Sequence, residues 1–368
     1  MYDVAVIGAG INGCTLAYHL KQLSQDVVIF DREGVASGGS GAAGAFLSPK
    51  FSKGGELKEL LNSALDTALD FYTHNFPQYI EKYNLLHIAQ DEQDAQRLRY
   101  IKEHKEVPLL DNPSFVPEEE YIYTSKSAIV DAEAMCHALI EDIVYKTDSI
   151  ETLEYQKDAW LLNGKHRAKK VVLATGAYQH TLAPLPYKMT RGVWGHRIDI
   201  ATTTQNRDSI HQYVSISPTK EGQLSVGATH NVHYHPQKSQ EPYDFEAGRE
   251  ELLEKASRTL KLEDVKVLKD YVGLRSGSTD YLPQIGGIVD VEKNMENLTK
   301  RELYTKKPDY TKTCYRKDLY MINGSAGYGF VLAPYLAQKL ANHIVKQVEL
   351  PSALEPARFF YRWVKSAD

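Results

Sequence analysis

Apolar positions near the start of the chain fall into two short runs, Val4-Ala5-Val6-Ile7 and Val27-Val28-Ile29-Phe30. Runs of this length bounded by turn residues predict buried parallel strands. Between them Ala17, Leu20 and Leu23 continue a helical spacing from Leu16. From Leu57 to Tyr83 apolar residues again recur at helical spacing (Leu57, Leu60, Leu61, Leu65, Leu69, Tyr72), which predicts a helical segment. Residues 84–127 are mixed and broken by Pro108, Pro113 and Pro117. Asp131 reads as the N-cap of a helix running through Val144. Residues 150–176 read as short strands ending at Val171-Val172-Leu173-Ala174-Thr175-Gly176. Residues 185–270 alternate more strictly (Ile198, Ile200; Tyr213, Ser215, Ser217; Leu224, Val226), with a helix near 245–260. That pattern predicts an antiparallel sheet with one face over a ligand. Leu332, Leu336, Leu340 and Ile344 predict a final helix.

Composition narrows the class. The 368 residues suggest about two domains. Hydrophobic residues at 42% and charged residues at 25% exclude a disordered chain, a collagen and a coiled coil. No apolar run approaches the ~20 residues that a membrane helix needs. The first residues carry Asp3 rather than a basic cluster, and glycines break the apolar run, so no secretory leader is expected and the location expected is cytoplasmic. Cys14, Cys136 and Cys314 lie far apart, which indicates neither a disulfide framework nor a metal site. A net charge of −5 argues against a protein coated in positive charge. The 24 tyrosines against 10 phenylalanines point to polar pockets or wet interfaces.

The chemistry begins at Gly8-Ala9-Gly10-Ile11-Asn12-Gly13, a GxGxxG turn between the first predicted strand and helix. In a dinucleotide site the first glycine permits the tight turn, the second admits a pyrophosphate, and the third lets helix and strand pack. Asp31, followed by Arg32, stands at the end of the second strand, where an acid accepts hydrogen bonds from a ribose. The bland reading is a glycine-rich turn without a ligand. A second small-residue loop, Ser37-Gly38-Gly39-Ser40-Gly41-Ala42-Ala43-Gly44-Ala45, suits an extended cofactor lying on backbone, or a flexible linker. A third element is Ala174-Thr175-Gly176. The fourth is Asn323-Gly324-Ser325-Ala326-Gly327-Tyr328-Gly329-Phe330, which opens the final helix. A helix N-terminus there favours negative charge.

These four elements in this order resemble the FAD-dependent D-amino-acid oxidase superfamily, which includes glycine and sarcosine oxidases. The marks are SGGSGAAG, LSVGAT at 224–229, GLRSGSTDYLPQIG at 273–286 and the glycine cluster before VLAP at 331–334. Within it the chain is similar to the FAD-dependent oxidoreductases of wobble-uridine tRNA modification, through ASGGSGAAGAFLSPKFSK (36–53), ELKELLNSALDTALDFY (56–72), STDYLPQIG, and a tail with Leu350-Pro351 and Glu355-Pro356-Ala357-Arg358. The resemblance implies an α/β (α+β overall) fold. It implies a discontinuous Rossmann-like FAD-binding domain (1–83, 128–184, 270–368) and a substrate domain on an antiparallel sheet (84–127, 185–269). It implies FAD held by Gly8, Gly10, Ile11, Asn12, Gly13, Asp31, Arg32, Ser37, Gly39, Ser40, Ala42, Ala43, Gly44, Ala45, Ala174, Thr175, Gly176, Arg275, Gly324, Gly327, Tyr328, Gly329 and Phe330. With no cysteine in 270–290, the flavin is expected to be non-covalent. The fingerprint starts at residue 8, so the methyltransferase often fused to this branch is expected to be absent, which leaves room for a separate methyltransferase partner.

The sequence departs from the family pattern in three further places. Tyr328 or Gly327 stands where the cluster arginine belongs. Ser225 falls near the oxygen-activating lysine. An RGQ-like site reads Arg191-Gly192-Val193.

The reaction implied is oxidation of an amine C–N bond, with the flavin carrying the chemistry. The resemblance makes Arg275, in GLRSG, the match to the family's carboxylate-binding arginine and so the expected anchor for a substrate carboxylate, which a planar fork can grip bidentately. Its bland alternative is a pair with Asp280. Tyr213 and Tyr328 are further catalytic candidates; the alternative for Tyr213 is an ordinary half-buried strand tyrosine, and for Tyr328 core packing. His230, His233 and His235 read as solvated loop residues rather than metal ligands. Residues 300–317 hold seven Lys/Arg against two acids, with Tyr304, Tyr310 and Tyr315 interleaved. Such a segment engages phosphates and stacks bases, or is simply a solvated face. Further basic groups stand at Lys165, Arg167, Lys169 and Lys170 and at Arg358, Arg362 and Lys365. The resemblance, rather than the charge, implies a reaction that removes the carboxymethyl group from 5-carboxymethylaminomethyl-uridine of a tRNA as glyoxylate. The alternatives are a free amino-acid oxidase with a small amino-acid substrate, and a non-catalytic FAD-binding protein.

Overall fold

The computed structural model of the chain describes residues 1–178, 185–187 and 190–366. Two large sheets face each other. The first runs in the order Gln284–Val289, Tyr315–Asn323, His166–Leu173, Tyr2–Ile7, Val27–Asp31, Val144–Thr147. From Tyr315–Asn323 to Val144–Thr147 all neighbours are parallel, and Gln284–Val289 closes the edge antiparallel. Strand Ala159–Leu162 pairs antiparallel with His166–Leu173, and Leu153–Gln156 pairs antiparallel with Ala159–Leu162 in turn.

Val4, Ala5, Val6, Val28, Ile29 and Phe30 are fully buried, because both faces are covered: Val4, Val6 and Ile29 pack with the helices, and Ala5, Val28 and Phe30 with Ile150, Trp160 and Leu162. Helix Ile11–Gln22 packs between helices Ala132–Leu139 and Gly329–Lys346 in one core cluster. Helix Glu56–Asn75 joins this layer, and the Tyr72 hydroxyl donates to the Phe330 carbonyl at 3.0 Å.

Two expected helices are shorter than their apolar spacing suggested. The segment from Leu57 stops at Asn75, because Pro77 follows, and Ile80–Lys82 is a strand. Asp131 does cap a helix, accepting from the Ala134 N–H at 3.1 Å, but that helix ends at Leu139. Val144 instead opens a strand that pairs with Val28.

The second sheet runs Lys266–Ser278, Thr190–Ala201, Gln223–Gly227, Ser215–Ile216, Ser209–His211, Leu85–Ile88, Tyr121–Thr124. It is antiparallel except where Ser209–His211 meets Leu85–Ile88 in parallel. A domain boundary at 270 falls inside the strand Lys266–Ser278, which stays paired with Thr190–Ala201 along its length. Alternation sorts the two faces. Ile198, Ile200, Ile210, Ile216, Leu224 and Val226 pack with Leu252 and Ala256 of helix Phe245–Ser257. Gly195, Arg197, His211, Ser215 and Gly227 line a cleft on the other face. Among the described residues no helix is long and apolar enough to cross a membrane.

Candidate active site

A cleft of about 650 Å³ lies between the two sheets, a size that suits an organic ligand. The first turn sits at one end. Gly8 has φ +111°, and a Cβ there would lie 2.4 Å from the Ala174 carbonyl oxygen. A Cβ on Gly13 would lie 1.9 Å from the Gly8 oxygen, so helix and strand touch backbone to backbone. Asp31 Oδ2 accepts from the Ala9 N–H at 2.8 Å, and its Oδ1 from the Glu33 and Gly34 N–H groups at 3.0 and 3.2 Å. The acid is thereby fixed at the cleft wall.

The small-residue loop folds over this turn. Ser40 Oγ accepts from the Ile11 N–H at 2.9 Å. Gly39 and Gly273 meet so closely that a Cβ on Gly273 would stand 2.8 Å from the Gly39 Cα. Distant motifs are stitched by amides. Asn12 Nδ2 donates to Ser325 Oγ at 3.0 Å across 313 residues. Asn323 Nδ2 donates to the Gly176 carbonyl at 2.6 Å, while Asn323 Oδ1 accepts from Ser276 Oγ at 2.7 Å. Helix Gly329–Lys346 starts at the cleft with no acid in its first turn, so its N–H groups favour an anion there.

Arg275 extends along the cleft wall over Gly195, whose absent side chain makes the room: a Cβ would lie 2.5 Å from the guanidinium. Its Nη1 donates to the Thr229 carbonyl at 3.0 Å. Burial lowers its proton affinity, and among the described residues it has no acidic partner. The pair with Asp280 does not form. Asp280 instead takes Arg358 at 2.9 and 3.1 Å and Arg362 at 2.7 Å.

Nearly all the expected site residues line the cleft, with three exceptions. Gly13 lies beneath the turn. Gly324 faces Pro283 and Gln284. Tyr213 lies in the turn between two short strands, its ring 5.4 Å from the Arg258 guanidinium, outside the cleft. Tyr328 does line it, and its hydroxyl accepts from Lys50 Nζ at 3.2 Å. None of residues 300–317 lines it. Tyr310 stacks on Tyr361 (5.8 Å, 14°) and Tyr315 donates to Glu355, so these rings are engaged within the chain, while Tyr304 is exposed.

Sequence reading missed Lys50, His87, Arg97, Arg197 and His211, all at the cleft. Arg197 lies 3.7 Å over the Tyr271 ring, and its Nη1 contacts Asp199 and Ser225, each at 3.0 Å. Arg197, on the neighbouring strand, is thus the cation next to Ser225. The signal was a polar residue facing away from apolar neighbours, as in Leu86-His87-Ile88. Which face meets a ligand is invisible before the sheets pack.

A close-packed glycine turn, a fixed acid and a helix N-terminus along one long cleft fit a dinucleotide cofactor. A family model described as FAD dependent oxidoreductase matches residues 3–343. The chain belongs to this family of FAD-dependent oxidoreductases. None of the three cysteines lines the flavin cleft, so none is placed to bond the cofactor.

Two curated relatives are tRNA 5-methylaminomethyl-2-thiouridine biosynthesis bifunctional proteins MnmC. That of Marinobacter nauticus is 24% identical over 94% of this chain and 56% of its own length. That of Leptospira interrogans is 24% identical over 98% of this chain and 61% of its own. The oxidoreductase chain thus spans about 56–61% of these relatives. Among solved structures, glycine oxidase from Geobacillus kaustophilus superposes with a TM-score of 0.74 at 20% identity, covering 97% of each chain. Iminodiacetate oxidase from Chelativorans sp. gives 0.71 at 18% identity, covering 96% of this chain and 98% of its own. These likenesses share the fold of the FAD-dependent oxidoreductase.

Proposed function

We propose that the protein oxidises the C–N bond of an N-carboxymethyl amine, and that the amine is 5-carboxymethylaminomethyl-uridine in a tRNA. The observation that carries the first part is Arg275, a guanidinium in the flavin cleft without an acidic partner among the described residues. The MnmC relatives support the second part. Bound FAD supplies the acceptor for two electrons and the α-hydrogen of the amine.

The chain's own residues do the rest. Arg275 takes the carboxylate through its remaining N–H groups. Its charge and that of Lys50 also disfavour an ammonium in the cleft. The bound amine therefore loses its proton and can release its α-hydrogen as hydride. Tyr328, held by Lys50, borders the same space. Water then hydrolyses the imine, breaking the C–N bond to leave the aminomethyl base and glyoxylate.

A second reading is a free amino-acid oxidase. It is favoured by the position of the basic segment 300–317 away from the cleft. The test is anaerobic incubation of the holoprotein with tRNA carrying the modification and, in parallel, with glycine, sarcosine and D-alanine. Flavin bleaching with glyoxylate release from the tRNA supports the first reading. Bleaching by free amino acids alone replaces it with the second.

A further inference from the structure

The second-sheet wall of the cleft carries a histidine pair that the carboxylate-binding reading leaves without a task. His87 and His211 occupy matched positions of the parallel strands Leu85–Ile88 and Ser209–His211. Matched positions put both rings on one face, with centroids 6.3 Å apart. Leu86, Ile88 and Ile210 point to the other face and its apolar core. Phe51 packs on His87 at 4.6 Å and Phe46 meets His211 edge-on at 5.3 Å.

Neither imidazole hydrogen-bonds to any described residue, and His87 Nδ1 and His211 Nε2 are shut off from water without a partner. Those enclosed nitrogens are closed to a ligand as they are to water, so each ring offers the cleft its other nitrogen, which has no partner among the described residues either. Burial holds both rings neutral at ordinary pH. The charged groups nearby are engaged: Lys50 donates to Tyr328, and Arg97 forks onto Asp94 at 2.5 and 3.1 Å.

We infer that His87 and His211, between Phe46 and Phe51, form the subsite for a uracil base, an inference that rests on the uridine reading above. Each neutral imidazole presents one N–H donor and one bare nitrogen acceptor. A uracil ring presents an imide N–H flanked by two carbonyls. One histidine donates to a carbonyl and the other accepts from the imide N–H. The phenylalanine rings supply the aromatic surface on which unstacked bases rest. A neutral imidazole offers an anionic group no ion pair, so the carboxylate goes to the charged fork of Arg275. The cleft thereby reads the two ends of one substrate, carboxylate and base, at different strands of the second sheet.

The test uses holoprotein and an anticodon stem-loop RNA carrying 5-carboxymethylaminomethyl-uridine at the wobble position, with anaerobic flavin bleaching as readout. His87→Ala and His211→Ala are each expected to raise the half-saturating RNA concentration at least tenfold, with the saturating rate within threefold of wild type. His211→Asn, which keeps a donor and an acceptor, is expected to recover part of the loss. Wild type is also assayed with a stem-loop methylated at N3 of the same base, an arm independent of variant folding. Methylation is expected to raise half-saturation by a similar factor. Unchanged half-saturation in the variants, or indifference to N3 methylation, overturns the subsite and leaves the uridine reading standing. Wild type that ignores the stem-loop yet is bleached by sarcosine overturns the uridine reading and the subsite with it.

Discussion

Replacing Arg275 by methionine removes the guanidinium while keeping an apolar stem of similar length. Among the described residues Arg275 makes one hydrogen bond, to the Thr229 carbonyl, and lies against Gly195 with no acid beside it. Its remaining N–H groups are therefore available to a substrate carboxylate. Truncating one partner of a buried, hydrogen-bonded charge pair costs about 2–5 kcal/mol. Taking about 3–4 kcal/mol, with tenfold per 1.4 kcal/mol, kcat/KM should fall by about 140- to 700-fold. Arg275→Lys keeps the charge without the fork, so a smaller loss of about tenfold is expected. The assay is anaerobic bleaching of the variant holoprotein with an N-carboxymethyl amine, alongside the FAD absorbance per chain. The internal bond is a single contact to a carbonyl, so FAD content should stay near wild type. A kcat/KM within threefold of wild type would refute the carboxylate role. Loss of FAD at unchanged folding would make Arg275 a structural or cofactor residue instead.

Other outcomes follow from the same geometry. Gly13→Ala places a Cβ 1.9 Å from the Gly8 oxygen and should destabilise the fold by about 1–3 kcal/mol with loss of FAD, read by thermal melting and flavin absorbance. Arg358 is almost wholly buried and donates to Asp280 and to the Leu282 and Pro283 carbonyls; Arg358→Ala should cost about 3 kcal/mol, and an unchanged melting temperature would contradict this. Burial depresses His19 and His87 to about 4 and His211 to about 3. The unfolded chain then binds protons that the folded chain refuses, so stability should fall as pH drops from about 6.5 towards 4. Melting temperatures across that range check the trend, and His87→Gln with His211→Asn should flatten it. Reversing charges at Lys300, Arg301, Lys306 and Lys307 should flatten the salt dependence of tRNA binding in filter assays, whereas an unchanged slope would remove this segment from RNA contact.

Much of the nucleotide-binding half was legible in the linear chain. The turn at Gly8–Gly13, the acid at Asp31 and the strand before Thr175 depend on neighbours close in sequence. Their backbone demands are written directly as glycine, small residues and short apolar runs. Helix limits were less legible. Leu57–Tyr83 and Asp131–Val144 have helical spacing throughout, yet Pro77 and the pairing of Val144 with Val28 cut both short. Apolar spacing cannot reveal a strand partner more than a hundred residues away.

The substrate side shows the same division more sharply. The sequence alone supplied the glycine turn, the acid and the arginine motif, because each is a local pattern whose chemistry is carried by its own residues. Whether Arg275 pairs with Asp280 was open in the sequence. The tertiary structure decided it, because Arg358 and Arg362 of the C-terminal helix occupy that carboxylate first. The same packing placed Tyr213 outside the cleft. It brought Lys50, His87, Arg197 and His211 into it, from segments that share only a sheet face. An alternating strand states that it has two faces, but only the packing of helix Phe245–Ser257 on one of them leaves the other to the ligand.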